Sequence, residues 1–462
     1  MTDLPEYIRP VPEHPRYWLV RGEPTVLLGG SWQDNLFNHP TNLEEHLDRL
    51  VEVGGNYVRN VMSHRNEGNV YPYVRTEDGF DLDRFNPEYW DRFERFLDLT
   101  AERDIVVQLE VWATWDLYED HQSRGGWSFH PYNPANNISY SPESSGLPTS
   151  VTYPPSSDPT EHPFFRTVPE IEHNELVLGY QRAFVDALLD RSLSYPNVLY
   201  CMNNETGERL EWGDYWLSHV RNRAAEEGTE IHTTDMRRNE DVTGSDHNHI
   251  YDRPDRYTFV DISQNNAWEG EGQNHYENIR YVHERTADHP RPINNVKNYG
   301  ANRYGEEESV ARFCRIVFGG CASARFHRPH PKEDPDAHEE ASDVGLGLSP
   351  RAQGIIESMR MIADDIVIPR CTPRPDLLGD REPNEAYLLA DPGTAYAVYL
   401  PNGGSVSLDC AHGEYTRQWL DIDASAWGDP EHVQPAETLS LRAPGEGHWA
   451  ATVLAIEGTD GS

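Results

Sequence analysis

The sequence predicts an α/β chain, a (β/α)8 barrel followed by a small antiparallel β-sandwich. Two observations carry that expectation. Over about 360 of the 462 residues, short apolar runs alternate with amphipathic helical stretches. From about residue 370 the texture changes to alternating β runs with hairpin signals.

Taken in order, the strand candidates of the first region are 24–29, 56–62, 105–111, 198–202, 230–234, 258–263, 291–296 and 321–326. Between the first two, Leu43, Leu47 and Leu50 recur at the spacing of one helix face, and 90–97 and 176–189 repeat it. The run from Pro369 to Pro375, with Pro373 between, reads as a crossover, which places the barrel at 1–370 and the sandwich at 375–462. In the sandwich, strands are expected at 386–389, 394–400, 405–409, 415–420 and 449–456, with a hairpin turn at Asn402-Gly403-Gly404. A long insertion, 112–170, separates the third and fourth strands and carries Trp112, Trp115, Tyr118, Trp127, Phe129, Tyr132 and Tyr140. Loops of that length are uncommon unless functional or disordered, and the aromatic content argues against disorder. In a barrel it lies on the C-terminal face, where active sites are built.

Composition excludes several partners. Lys plus Arg number 39 against 78 Asp plus Glu, a net charge of −39. A field that negative repels phosphate backbones, so no nucleic-acid partner is expected. No apolar run reaches the roughly 18 residues of a membrane span, so no membrane partner is expected either. Met1-Thr2-Asp3-Leu4-Pro5-Glu6 shows neither a basic nor an apolar leader, and a cytoplasmic location is the expectation. Lysine occurs only at Lys297 and Lys332. An acid-rich, lysine-poor surface fits life in high salt, where screening shortens to about 3 Å at 1 M. The five cysteines are scattered without a CxxC pair, which reads as reduced, buried thiols.

The segment Leu199-Tyr200-Cys201-Met202-Asn203-Asn204-Glu205 is the most informative. An apolar strand runs into a carboxylate at its C-terminal end. Glu205 can serve as a general acid if burial raises its pKa, and Asn204 can hold a sugar hydroxyl. The competing reading is a glutamate at a helix start after an asparagine cap.

Here the sequence resembles the clan A glycoside hydrolases, which place Asn-Glu after the fourth barrel strand with the glutamate as acid/base. The run from Pro24 to Trp32, the pair Leu47-Asp48-Arg49-Leu50 and Gly54-Gly55-Asn56-Tyr57-Val58-Arg59, the run from Tyr396 to Gly404, and Trp419 are similar to an apiosidase-like subgroup with a collagen-binding-type β-domain. The resemblance implies that Arg59 supports a nucleophile. The seventh strand departs from the pattern. In Arg291-Pro292-Ile293-Asn294-Asn295-Val296-Lys297-Asn298-Tyr299, Lys297 stands where the family has its nucleophilic glutamate. A retaining mechanism needs a second carboxyl about 5–5.5 Å from the first, and none is in the expected place.

Lys297 and the strand-eight run Arg325-Phe326-His327-Arg328 are expected at one face with Arg59. Converging cations in so acidic a chain point to an anionic ligand, a uronate or a sulfated sugar. Asp235 at the end of the fifth strand, Asp261, Glu110 and Asp116 are the candidates for a second carboxylate; the sequence does not choose among them, and Asp235 is carried forward as the catalytic candidate. Trp112, Gln264, Asn265, Asn266, Trp268, Asn295 and Tyr299 offer amides, a phenol and indoles to hydroxyl-rich rings. His327, His330, Asp334, Asp336 and His338 match no metal-site spacing, and Asp246-His247-Asn248-His249 reads as polar loop. No cofactor motif is present, so neither a cofactor nor a metal is expected. The expected function is cleavage of a glycosidic bond in an acidic oligo- or polysaccharide. A saccharide-binding protein on a hydrolase scaffold is the alternative, and a lyase using Lys297 or His327 as base is a third.

Overall fold

The computed structural model describes residues 7–39, 41–64, 66–118, 126–151, 162–266, 272–298, 304–329, 345–435 and 437–456. A strand overlaps each of the eight candidate segments of the first region: β1 (Leu27–Gly30), β2 (Tyr57–Val61), β3 (Val106–Trp112), β4 (Val198–Asn203), β5 (Thr233–Thr234), β6 (Val260–Asp261), β7 (Ile293–Asn294) and β8 (Ser323–Phe326). A helix follows each in turn: α1 (Leu43–Glu52), α2 (Pro87–Glu102), α3 (Glu175–Ser192), α4 (Leu210–Glu226), α5 (Ser245–Tyr251), α6 (Gly272–Arg285), α7 (Glu306–Phe318) and α8 (Pro350–Asp365).

The strands pair in parallel, in the order β5-β4-β3-β2-β1-β8, with β6-β7 as a second parallel pair. Backbone hydrogen bonds cross both gaps, from Thr258 N to Thr233 O (3.0 Å) and from Ala322 N to Ile293 O (2.7 Å). β5, β6 and β7 are shorter than expected because hydroxyls take the ladder's partners. Thr258 Oγ1 accepts from Thr233 N, Ser263 Oγ from Val296 N, and Ser323 Oγ from Asn295 N, at 2.8–2.9 Å.

The helices form where the sequence caps them. Asn86 accepts from Glu88 N ahead of Pro87 in α2, and Ser349 accepts from Ala352 N ahead of Pro350 in α8. Leu43, Leu47 and Leu50 of α1 are all buried, as their spacing requires. Asp246–His249, expected to be loop, lies instead within α5, where His247 is buried and bonds to Asn239 O at 2.7 Å. The short run hid its helical period.

The strand expected at 24–29 splits. Glu23–Thr25 turns back to pair with Trp18–Val20, and only Leu27–Gly30 joins the parallel sheet. That hairpin carries Trp18 beneath the strands, fully buried, with Nε1 donating to Asn294 Oδ1 at 2.9 Å. Above it Tyr57, Gln108, Asp261 and Asn294 form one hydrogen-bonded layer. The interior at this level is thus a hydrogen-bonded polar layer beneath the strand ends.

Gly29 sets the spacing of β1 and β2. A Cβ there would stand 1.9 Å from Tyr57 O, against backbone that cannot rotate away. Gly29→Ala is therefore expected to destabilise the fold by about 1–3 kcal/mol, read by urea unfolding.

The later region holds two antiparallel sheets. One contains Tyr387–Asp391, Ala395–Leu400, Trp449–Ala455 and Tyr415–Asp421; the other pairs Leu378–Gly379, Ser405–Asp409 and Thr438–Arg442. Leu388, Val398 and Val453 cluster with Val406, Leu408 and Leu441 between them. On the opposite face Tyr387, Leu389, Ala397 and Tyr399 join the main core, with Phe318 of α7 against Tyr399. Thr372–Pro373, inside the expected crossover, is already a strand of the larger sheet. All five cysteines are buried and unpaired with one another.

Candidate active site

Glu205 stands two residues past β4 with φ at 53°. The left-handed region costs a non-glycine residue roughly 1–3 kcal/mol, so the surroundings must impose it. They do so from both sides: Asn204 N bonds to Trp112 O and Thr206 N to Met236 O, each at 2.9 Å. The side chain is held as firmly. Trp115 Nε1 donates to Oε2 and Gln264 Nε2 to Oε1, both at 2.7 Å, and the Lys297 ammonium bonds to Oε1. The Glu205 side chain keeps 16 % exposure, against 2 % for Lys297.

Lys297 reaches this point because β7 ends at Asn294 and the chain continues to the same mouth. Its Nζ also donates to Asn204 Oδ1 at 3.0 Å. Burial would push the Glu205 carboxyl up, but the Lys297 charge and hydrogen bond, with Arg59 and Gln264, outweigh it and hold it at about 2. Burial pushes Lys297 down; Glu205 opposes the shift and Arg59 adds to it. The resting pair is an ammonium on a carboxylate, whereas a general acid needs a proton on Glu205.

Beside it lies a second, deeper set of charges. Arg59 donates to Asp34 Oδ1 (3.0 Å) and Glu110 Oε2 (2.9 Å), and all three side chains are buried. Arg328 Nε donates to Asp34 Oδ2 at 2.9 Å, and His327 Nδ1 lies 3.5 Å from Asp34 Oδ1. Burial pushes the Glu110 carboxyl up against the pull of Arg59 and Lys297, and its Oε1 has no hydrogen-bond partner among the described residues. Burial likewise pushes His327 well below its ordinary value.

Of the residues expected from the sequence, Glu205, Asn204, Lys297, Gln264, Arg59, His327 and Arg328 come together here. Five others are tied into the surrounding structure. Asp235 bonds to Asn203 and Met236 N, with its other oxygen against Gly213 of α4. Trp112 is buried among Phe164, Phe184, Trp212 and Trp216. Asn265 ties α6, through His275 O and Asn278. Asn295 is fully buried and accepts from Lys297 N at 3.3 Å. Arg325 is also fully buried; it bonds to Val296 O and the Ser31 hydroxyl, and burial lowers its pKa to about 9. Trp268 and Tyr299, together with His330, Asp334, Asp336 and His338, lie outside the described residues.

Two participants escaped the sequence reading. Trp115 was only one aromatic among many in a long loop, and no local spacing ties it to Glu205. Asp34 does carry a signal, since it follows β1 at the same end of the sheet as Glu205 follows β4. Asp116 accepts from Ser63 Oγ at 2.7 Å, and Asp261 belongs to the Gln108 layer below.

Three possible metal ligands meet away from this mouth. Ligand atoms of Glu307, Asp423 and His448 lie within 4.8 Å of one another. Arg351 already bridges the two carboxylates, at 3.0 and 2.8 Å, so the group is an ion-pair knot between α7 and the larger antiparallel sheet.

No family model and no curated protein matches the sequence. Solved structures do match the fold. A candidate glycoside hydrolase from Bacteroides vulgatus aligns over 99 % of this chain and 83 % of its own, at 13 % identity and a TM-score of 0.62. A glycoside hydrolase family 5 mannosidase from Rhizomucor miehei, solved with mannosyl-fructose, covers 79 % of this chain and 98 % of its own, at 12 % identity and TM-score 0.53. A gamma-CGTase from an alkalophilic Bacillus clarkii covers 94 % and 70 %, at 10 % identity and TM-score 0.54. At these identities the likeness is one of fold, and the chain is built on the scaffold that these carbohydrate enzymes share.

Proposed function

We propose that the chain is a glycoside hydrolase-like enzyme of the apiosidase-like kind, a (β/α)8 barrel over 1–370 with a β-sandwich over 375–462, acting on a glycosidic bond. The observation that carries this reading is the carboxylate of Glu205, held by Trp115, Gln264 and Lys297 just past β4 and still partly exposed. Active sites of such barrels are built at that end of the strands.

The substrate class follows from the charges. Arg59 and Arg328 are committed to Asp34 and Glu110, so Lys297 is the cation whose partner reaches solvent. A uronate or sulfate placed beside Lys297 competes with Glu205 for the ammonium. Glu205, still buried, then rises toward the range in which it can carry a proton to a leaving oxygen. Burial pushes both Glu110 and Asp235 up. Glu110 bonds to Arg59 and feels the Lys297 charge while Asp235 bonds to Asn203 and faces α4, so Glu110 is the better-placed second carboxyl. Asn204 positions Lys297 and Glu205 together.

A second reading is favoured by the same ion pair, which leaves both groups satisfied at rest: a saccharide-binding protein that no longer cleaves. The test is product release from neutral, uronate-containing and sulfated oligosaccharides in high salt. Release from an acidic saccharide, reduced by about 100-fold or more in Glu205→Gln, supports the enzyme. Full activity in Glu205→Gln removes Glu205 from the mechanism, and saccharide-induced thermal stabilisation without product supports the binding protein.

A further inference from the structure

We propose that Lys297 is an imine-forming amine, and that the site takes the carbonyl of an aldehyde or ketone, such as the open-chain form of a small sugar. This goes beyond cleavage of a glycosidic bond and does not depend on it.

Four features of the site support the proposal. Lys297 is 2 % exposed in a chain with only one other lysine, Lys332. Buried ammonium groups lose the hydration that keeps them protonated, and a neighbouring cation lowers them further. Here both operate, and the desolvation of Lys297 with the charge of Arg59 outweighs the opposing pull of Glu205 and Glu110. An acid–base partner is already in place, because Lys297 Nζ bonds directly to Glu205 Oε1. Asn204 Oδ1, 3.0 Å from Nζ on the other side, fixes the direction in which the amine points. Glu205 is the more exposed member of the pair, so on this proposal the carbonyl enters on the side of its carboxylate.

The step balances within these groups. Glu205 takes a proton from the Lys297 ammonium. The freed amine attacks the carbonyl carbon, the N–C bond forms, and a nitrogen proton moves to the carbonyl oxygen. Glu205 then returns its proton to that hydroxyl, the C–O bond breaks, and water leaves. Lys297 is left as a protonated imine and Glu205 as a carboxylate, with no oxidant or reductant consumed. A glutamate placed to accept and return the same proton is the usual geometry for such a shuttle.

The experiment is reductive trapping on the full chain in high salt, with dihydroxyacetone and with D-glyceraldehyde as probes and cyanoborohydride as reductant. Intact mass and peptide mapping locate the adduct. The expected result is one reduced probe per chain, on the peptide holding Lys297, at least about tenfold faster than on Lys332 or the amino terminus. Glu205→Gln is expected to slow labelling of Lys297 by about 100-fold while leaving Lys332 unchanged. Lys297→Met removes the adduct, and circular dichroism confirms that this variant is folded. Equal labelling of Lys297 and Lys332, or none at Lys297 in wild type at saturating probe, overturns the proposal. Because trapping needs no glycosidic bond, failure here leaves the proposed cleavage standing, and failure to cleave any saccharide leaves this assay readable.

Discussion

Arg59→Met is expected to destabilise the chain at neutral pH by about 3–5 kcal/mol, enough to leave much of it unfolded. The reason is the pair of acids it would strand. Arg59 is 1 % exposed and bonds to Asp34 and Glu110, whose side chains are 4 % and 0 % exposed. Methionine fills similar volume and supplies no charge, so the loss is electrostatic. Asp34 keeps Arg328, whereas Glu110 has no other hydrogen-bond partner among the described residues. Glu110 is already pushed up by burial, and without the guanidinium it rises further. A carboxyl whose folded pKa lies above its unfolded value contributes stability below the unfolded value and loses it as pH rises through the folded one. The variant should therefore gain stability as pH is lowered from 7 toward 5. Arg59→Lys should recover only part of the loss, because one ammonium cannot span two carboxylates as a fork does. Urea unfolding at pH 5, 6 and 7 is the measurement. A variant within 1 kcal/mol of wild type at pH 7 would show that the acids find other partners.

That triad also marks the limit of what the sequence discloses. The strand segments and the helices around 43–50, 90–97 and 176–189 were legible because periodicity is a local property of the chain, and Glu205 could be singled out because it follows a strand's end. Arg59 was legible as a site residue through its resemblance, but its partners were not. Asp34 lies 25 positions away and Glu110 51 positions away, and only the alignment of β1, β2 and β3 brings them together. Asp235 looked like a catalytic carboxylate by the same strand-end argument that found Glu205. It points toward α4, where Gly213 leaves room for it, and nothing in Ile231–Asp235 announces which way the last residue of so short a strand turns. Trp112, the last residue of β3, and Trp115 just beyond it illustrate the same limit. Three residues apart, one fills the layer between strands and helices while the other holds the carboxylate. Arg59, Lys297, His327 and Arg328 lie near one another, whereas Arg325 turns to Val296 O and Ser31, and the ionic partners Asp34, Glu110 and Glu205 become visible only in three dimensions.

Lys297→Met should reverse the sign of the acid response around Glu205. In the wild type the carboxyl is held at about 2, below its ordinary value near 4.5. A depressed carboxyl contributes stability above the unfolded pKa and loses it as pH falls through the folded one, so the contribution fades between about 4.5 and 2. A shift of that size corresponds to about 3 kcal/mol, less whatever the buried ammonium of Lys297 costs at the same pH. Take the ammonium away and the balance inverts. Glu205 then faces burial with Gln264, Trp115 and the more distant Arg59, and its carboxyl rises above the unfolded value. Stability now falls as pH rises through the new pKa, so the variant should be weakest near pH 7 and recover toward pH 4, where wild type is beginning to weaken. Glu205→Gln strands the opposite charge, and the buried ammonium it leaves should cost a comparable amount at neutral pH. The Glu205→Gln, Lys297→Met double variant removes both charges and should be more stable at pH 7 than either single variant, giving a coupling energy of at least about 2 kcal/mol. Two pH curves that run parallel for wild type and Lys297→Met would mean that the lysine does not set the charge state of Glu205. The substrate-driven proton uptake on which cleavage of an acidic saccharide depends would then lose its physical basis.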